Sequence, residues 1–144
     1  MLDLIGPEVE LIYLFGSRAT GKTWKESDYD VAVLLSENLP RKDYFEKKLD
    51  LIGVFMKVFE TNDVDIVLLN EAGIILKFQV LKYGARLFEQ DPLKRVRFEF
   101  RVIQEHADFV ITLRVNNKYL HKYIRERKYG DRSRRHRRTA RKDS

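Results

Sequence analysis

Residues 10–15, Glu-Leu-Ile-Tyr-Leu-Phe, run directly into a Gly16-Ser17 turn. Ten residues later Asp28 and Asp30 lead into a second apolar run that ends at Leu35. This spacing constrains the fold more than any other feature. Both runs are short and rich in β-favouring side chains, so they read as strands. The interval between them is too short for a strand–helix–strand crossover, which needs at least about ten to twelve residues plus turns. The same window also fits G-x-x-x-x-G-K-T at residues 16–23. A phosphate-cradling loop of that type requires a helix straight after the lysine, because the helix N-terminus helps hold the phosphates. Here Trp24-Lys25-Glu26-Ser27-Asp28-Tyr29-Asp30 follows, with no apolar residues at helical spacing. The strand–loop–strand reading therefore wins.

Strand residues alternate faces, so Asp28 and Asp30, two apart, point to the same side. Another acid-led apolar run, Val64-Asp65-Ile66-Val67-Leu68-Leu69, reads as a third strand. If it neighbours the second, Asp65 joins Asp28 and Asp30 around one point. Isolated strand-end acids are usually just solvated; a cluster is different. Two bare carboxylates about 4 Å apart repel by about 4 kcal/mol at an effective dielectric near 20. Carboxylates gathered in this way imply a cation, and hard oxygen ligands with room for substrate phosphates favour Mg²⁺.

With these residues in place, the chain resembles the nucleotidyltransferase superfamily that includes DNA polymerase beta. Gly16-Ser17, ten residues, Asp28-x-Asp30 and a later strand-borne Asp65 carry the likeness. More narrowly, the wording Leu14-Phe15-Gly16-Ser17-Arg18-Ala19 and the segment at 80–89 resemble the minimal nucleotidyltransferases, antitoxins paired with HEPN ribonuclease toxins. The resemblance implies that Gly16 and Ser17 bind nucleotide phosphates and that Asp28 and Asp30 hold Mg²⁺. It makes Asp65 the third metal ligand or general base. It implies an Mg²⁺-dependent transfer of AMP from ATP to a tyrosine of the HEPN-type toxin, with ATP and that toxin as partners. Two alternatives stay open: a non-catalytic antitoxin that acts by binding alone, and a small-molecule nucleotidyltransferase. Family members usually open with a longer helix than residues 1–5 allow, and the likeness says nothing about the basic end of this chain.

The resemblance and the order of elements imply an α+β domain with a small mixed sheet, helices packed on it, and a long C-terminal helix. At 144 residues one domain is expected, and 44% hydrophobic content suffices for one core. The absence of cysteine excludes disulfides and thiolate metal sites. No apolar run approaches the roughly 20 residues of a membrane span, and no signal peptide is evident, which points to the cytoplasm. The net charge of +6 is concentrated at one end: residues 125–144 hold ten Lys or Arg against three acids. The expected division is a nucleotidyltransferase domain with its C-terminal helix at 1–128 and a disordered basic tail at 129–144. Solubility is the plain reading of such a tail; non-specific RNA contact is the sharper one, since clustered arginine binds phosphate.

The remaining elements follow from pattern. Strands are expected at 10–15, 30–35 and 64–69, with a short one at 86–89. Pro40 opens a helix through residue 59 whose Phe45, Leu49, Ile52, Phe55, Met56 and Phe59 form a core stripe. Asn70 caps a helix to Tyr83, with Gly84 as its C′ residue. Beyond Pro92 a helical pattern runs to about Lys128. Within it, Arg114, His121 and Tyr123 fit the R-x₆-H-x-Y wording of HEPN ribonucleases. That site belongs to a helical bundle, whereas one helix is available here, so the match reads as coincidence.

Overall fold

The structure, a computed structural model, describes residues 2–16 and 29–142, with side chains for 3–16 and 29–127. Its strands are β1 (Val9–Phe15), β2 (Tyr29–Leu35), β3 (Val64–Leu68) and β4 (Ala85–Glu89). Its helices are α1 (Leu2–Ile5), α2 (Tyr44–Val58), α3 (Ile74–Tyr83) and α4 (Pro92–Lys142). The four strands form one sheet in the order β3-β2-β1-β4. β1 runs antiparallel to β2 and β4, and β2 runs parallel to β3, so the sheet is mixed as expected. The parallel pair requires a crossover, which α2 supplies.

Alternation along β2 sorts the core into two layers. Val31, Val33 and Leu35 join Ile66, Leu68, Val9 and Ile12 beneath Leu51 and Phe55 of α2 and Ile5 of α1. Ala32 and Leu34 face the other way, with Leu11, Tyr13, Val80 of α3, and Phe98 and Val102 of α4. Burying each of the larger side chains stabilises the fold by about 1.5–3 kcal/mol. The short α1 is held by Lys47, whose ammonium donates to the Ile5 carbonyl at 2.6 Å and pairs with Glu8 at 3.3 Å.

Three local expectations are corrected. The core stripe of α2 is centred on Leu51 and Phe55, while Phe45 and Leu49 are 70% and 51% exposed. Those two lie on the flank that turns away from the sheet. Asn70 caps no helix, since α3 begins after Gly73. Its side chain instead accepts from the Leu35 amide at 2.8 Å and donates to the Leu35 carbonyl at 2.9 Å. It therefore extends the β2–β3 ladder by one rung beyond the last strand residue. Gly84 ends α3 with φ −75° rather than in the left-handed region. Any Cβ there would run into the Val80 carbonyl oxygen and meet the Leu14 carbonyl oxygen at 3.3 Å. Close approach, not a positive φ, requires the glycine.

By its contacts the chain divides into two units, Met1–His106 and Ala107–Ser144. Helical backbone continues to Lys142, past the residue near 128 where the apolar pattern fades. Among the described residues, no helix is long and apolar enough to cross a membrane.

A polar tie anchors the first turns of α4 to β1. The Tyr13 hydroxyl donates to Glu99 Oε1 at 2.8 Å, and Arg95 donates to Glu99 Oε2 at 3.0 Å and also to Glu89 of β4. Burial, then the hydrogen bond and charge of Glu99, push the Tyr13 phenol well above its ordinary value of 10.0. Folded Tyr13 thus keeps its proton where the unfolded phenol loses it. Its contribution to stability is complete below about pH 10 and is lost as the pH climbs beyond. Tyr13→Phe should lower unfolding free energy by about 1.5–3 kcal/mol at neutral pH, the range for a hydrogen bond to a charged group. It should also flatten the fall in stability above pH 10. Urea titrations of both proteins from pH 8 to 11 measure both effects.

Candidate active site

Register builds this site. In the parallel β2–β3 pair, Asp30 lies opposite Asp65, with Tyr29 opposite Val64 on one side and Val31 opposite Ile66 on the other. Directly paired residues share a face, and neighbouring strands lie about 4.8 Å apart, so the two carboxylates leave the sheet side by side. They occupy the face shared by Ala32 and Leu34, at the end of β2 where the chain enters it. The apolar strand residues beyond them keep the backbone beneath fixed.

β1 closes the third side. Phe15 pairs with Asp30, and Gly16 follows with φ +78°. A Cβ at Gly16 would collide with Asp30 Oδ2 and lie 3.3 Å from its Cγ. Glycine is therefore required twice over: for the left-handed backbone and for room beside the carboxylate. The result is a bare backbone turn pressed against an acid, the surface a nucleotide's phosphates need if they are to approach main-chain amides and a carboxylate-bound cation together.

On the opposite face, the Tyr29 ring stacks on Phe59 with centroids 4.2 Å apart and planes within 7°. Phe59 stacks in turn near Phe55 at 5.6 Å. The Tyr29 amide donates to the Asp63 carbonyl at 2.8 Å. These contacts fix the entry of β2 beside the entry of β3 and so hold Asp30 opposite Asp65. Sequence reading missed the Tyr29–Phe59 stack; the only signal available was an aromatic residue between the two acids of Asp28-x-Asp30.

Of the expected site residues, the structure brings together Gly16, Asp30 and Asp65. Ser17 and Asp28 lie outside the described residues, as do Lys22 and Thr23 of the rival phosphate-loop reading. Among the described residues alone, no group of three metal-ligating side chains converges. Asp65 is exposed and sits on β3, an edge strand, so it is open to a reactant from outside the sheet. A separate cavity of about 250 Å³, lined by Leu34, Ser36, Arg97, Phe98 and Arg101 among others, lies at the far end of β2 from these acids.

The model of the family described as polymerase beta, nucleotidyltransferase, matches residues 6–93, which include every residue of this site. The chain belongs to that family. This nucleotidyltransferase is 31% identical over 107 residues to the protein adenylyltransferase MntA of Aphanizomenon flos-aquae, a match covering 71% of each protein. It is 35% identical over 82 residues to the MntA of Shewanella oneidensis, covering 57% of this chain and 55% of that one. Within the family it stands with the minimal nucleotidyltransferases. A chain in a crystal structure of a toxin–antitoxin with AMP-PNP superimposes with TM-score 0.57 at 30% identity, covering 72% of this chain and 79% of that chain. A second, from a tri-AMPylated Shewanella oneidensis HEPN toxin in complex with MNT antitoxin, gives TM-score 0.55 at 27% identity, covering 75% and 79%.

The nucleotidyltransferase should not tolerate Gly16→Ala. Placing an L-residue in the left-handed region costs about 1–2 kcal/mol, and the new methyl must also displace the Asp30 carboxylate. In an Asp30→Ala background the second cost disappears, so the two substitutions should couple by at least about 0.5 kcal/mol. Urea unfolding of wild type, both single mutants and the double mutant measures this coupling; strict additivity would mean that the turn and the acid do not touch.

Proposed function

We propose that this enzyme transfers AMP from ATP to a tyrosine of a HEPN-type toxin and thereby acts as its antitoxin. The observation that carries the reading is the in-register Asp30–Asp65 pair beside the glycine turn that ends β1. The names of the relatives support the acceptor: two are protein adenylyltransferases, and one structural neighbour holds an AMPylated HEPN toxin with its antitoxin. The exposure of Asp65 on an edge strand supports it too, because a tyrosine displayed on a folded protein can reach an edge more readily than a closed pocket. The reaction uses intracellular ATP, in keeping with a cytoplasmic location.

The donor set fits a hard divalent cation. Asp30 and Asp65 offer only carboxylate oxygens, the hard donors that a divalent cation prefers. Asp28, outside the described residues, is the remaining carboxylate of the Asp28-x-Asp30 wording. Mg²⁺ bound there would neutralise the triphosphate and favour in-line displacement. The chain's own residues do the rest. Gly16 lets the backbone approach the phosphates, and Ser17 donates a hydrogen bond to them. Asp65 accepts the phenolic proton as the tyrosine oxygen bonds to the α-phosphorus and the bond from that phosphorus to the β-bridging oxygen breaks. Pyrophosphate leaves. A non-specific RNA contact through residues 132–142 rests on charge alone and stays outside the proposal.

The test is incubation with ATP, Mg²⁺ and a HEPN-type toxin, followed by intact-mass analysis. Wild type should add AMP to the toxin. Asp28→Asn with Asp30→Asn should cut the rate at least about a thousandfold, on the order of 4 kcal/mol of transition-state stabilisation, with the fold intact. If the double mutant protects cells from the toxin as well as wild type does, binding alone explains the antitoxin role.

A further inference from the structure

The C-terminal end of α3 lies at the acid end of the sheet. α3 leaves the far end of β3 and returns to the start of β4, across the face that carries Leu11, Tyr13 and Ala32. Asp30 and Asp65 stand on that same face, at the entries of β2 and β3. Leu14 of β1 pairs with Ala85 of β4, so Gly84 comes level with Phe15, and Phe15 pairs with Asp30. A Cβ on Gly84 would lie 3.3 Å from the Leu14 carbonyl oxygen, which shows how closely the end of the helix meets β1. Gly84 is therefore two strand spacings from Asp30, roughly 10 Å. Tyr83, the last residue of α3, is 57% exposed, and the Lys82 ammonium lies 5.2 Å from its ring centroid. Helical rotation of about 100° per residue sets its direction. Val80 points into the core, and Phe78 turns to one flank, where it stacks on His106 of α4 with centroids 3.6 Å apart. Tyr83 projects from the other flank. With the β2–α2–β3 crossover right-handed, that is the side of β2, β3 and their acids.

We infer that Tyr83 is the base platform of the nucleotide site: the purine ring of ATP stacks on its open face, and the Lys82 ammonium lies against the other. The inference rests on the transferase reading above and adds to it the group that holds the end of the nucleotide remote from the metal. Position selects this ligand. The acceptor tyrosine reaches the acids from the β3 edge, beside Asp65. The donor nucleotide then lies towards β1 and β4, with its phosphates at the Gly16 turn, and a ribose spans the remaining gap to Tyr83. Chemistry selects it too. A purine has apolar faces, and an exposed aromatic ring is the simplest support for them in water. The Lys82 charge beside the ring draws a polyanionic ligand to this edge of the site. Stacking reads no hydrogen-bonding edge of the base, so Tyr83 supplies affinity rather than choice between purines.

The experiment is calorimetric titration of the full chain in Mg²⁺ with two ligands. One is α,β-methylene-ATP, which cannot release pyrophosphate; the other is inorganic tripolyphosphate, which has no base. Tyr83→Ala should weaken binding of the ATP analogue at least about tenfold, within the range for one stacked base, and that of tripolyphosphate less than about twofold. Tyr83→Trp should bind the analogue within about threefold of wild type, because it restores an aromatic face. Circular dichroism checks that Tyr83→Ala is folded; if it is not, Tyr83→Leu replaces it, with a loss of at least about fivefold expected, since bulk is kept and the aromatic face is gone. Equal weakening of both ligands means a general distortion of the site and overturns the inference. Unchanged binding of the analogue also overturns it and leaves the transferase reading standing, as does a Tyr83→Ala protein whose only defect is weaker binding of a HEPN-type toxin. A wild type that does not bind the analogue at all overturns the transferase reading and the inference with it.

Discussion

A parallel strand pair sets two carboxylates side by side, and much of the surrounding structure holds them there. The β2–β3 register sets Asp30 opposite Asp65. The Tyr29–Phe59 stack and the bond from the Tyr29 amide to the Asp63 carbonyl fix the register at the acidic end, and Asn70 fixes it at the other by bonding both main-chain groups of Leu35. Between these clamps, Val31, Val33, Ile66 and Leu68 are buried against α2. A slip of β3 by one residue would turn Ile66 and Leu68 outward and separate the acids. The hydrophobic core and the charge cluster are thus specified by the same alignment.

Function follows from the same arrangement. In the proposed reading the acid pair on a rigid sheet receives a cation, and the glycine-ended β1 leaves backbone rather than side chain beside it. Catalysis by charge placement needs such rigidity, because groups that must reorganise during the reaction lose much of their benefit. The first turns of α4 stiffen the platform from the side, through Tyr13, Glu99 and Arg95. Beyond His106 the same helix forms a separate unit.

The sheet was legible because its strands carry strong local signals: short β-rich runs, acids at their entries and turn residues at their ends. All four strands fall within a residue of where pattern puts them. The pairing of Asp30 with Asp65 could only be stated as conditional on strand neighbours, since sequence does not display register. What failed depended on tertiary contact. Asn70 looks like a helix cap by type, but the Leu35 main chain competes for it and wins. Phe45 and Leu49 fit a helical stripe, but the sheet meets α2 along a line centred on Leu51 and Phe55, which periodicity alone cannot fix.

The central proposal is that the Asp30–Asp65 pair is the seat of a divalent cation. Its most direct test is thermal and urea unfolding of wild type and Asp65→Asn, each with and without Mg²⁺. Wild type should gain stability with the metal, by about 2.7 kcal/mol at a concentration one hundred times Kd. Asp65→Asn should respond to Mg²⁺ much less. An Asp65→Asn protein that gains as much from Mg²⁺ as wild type would contradict the account.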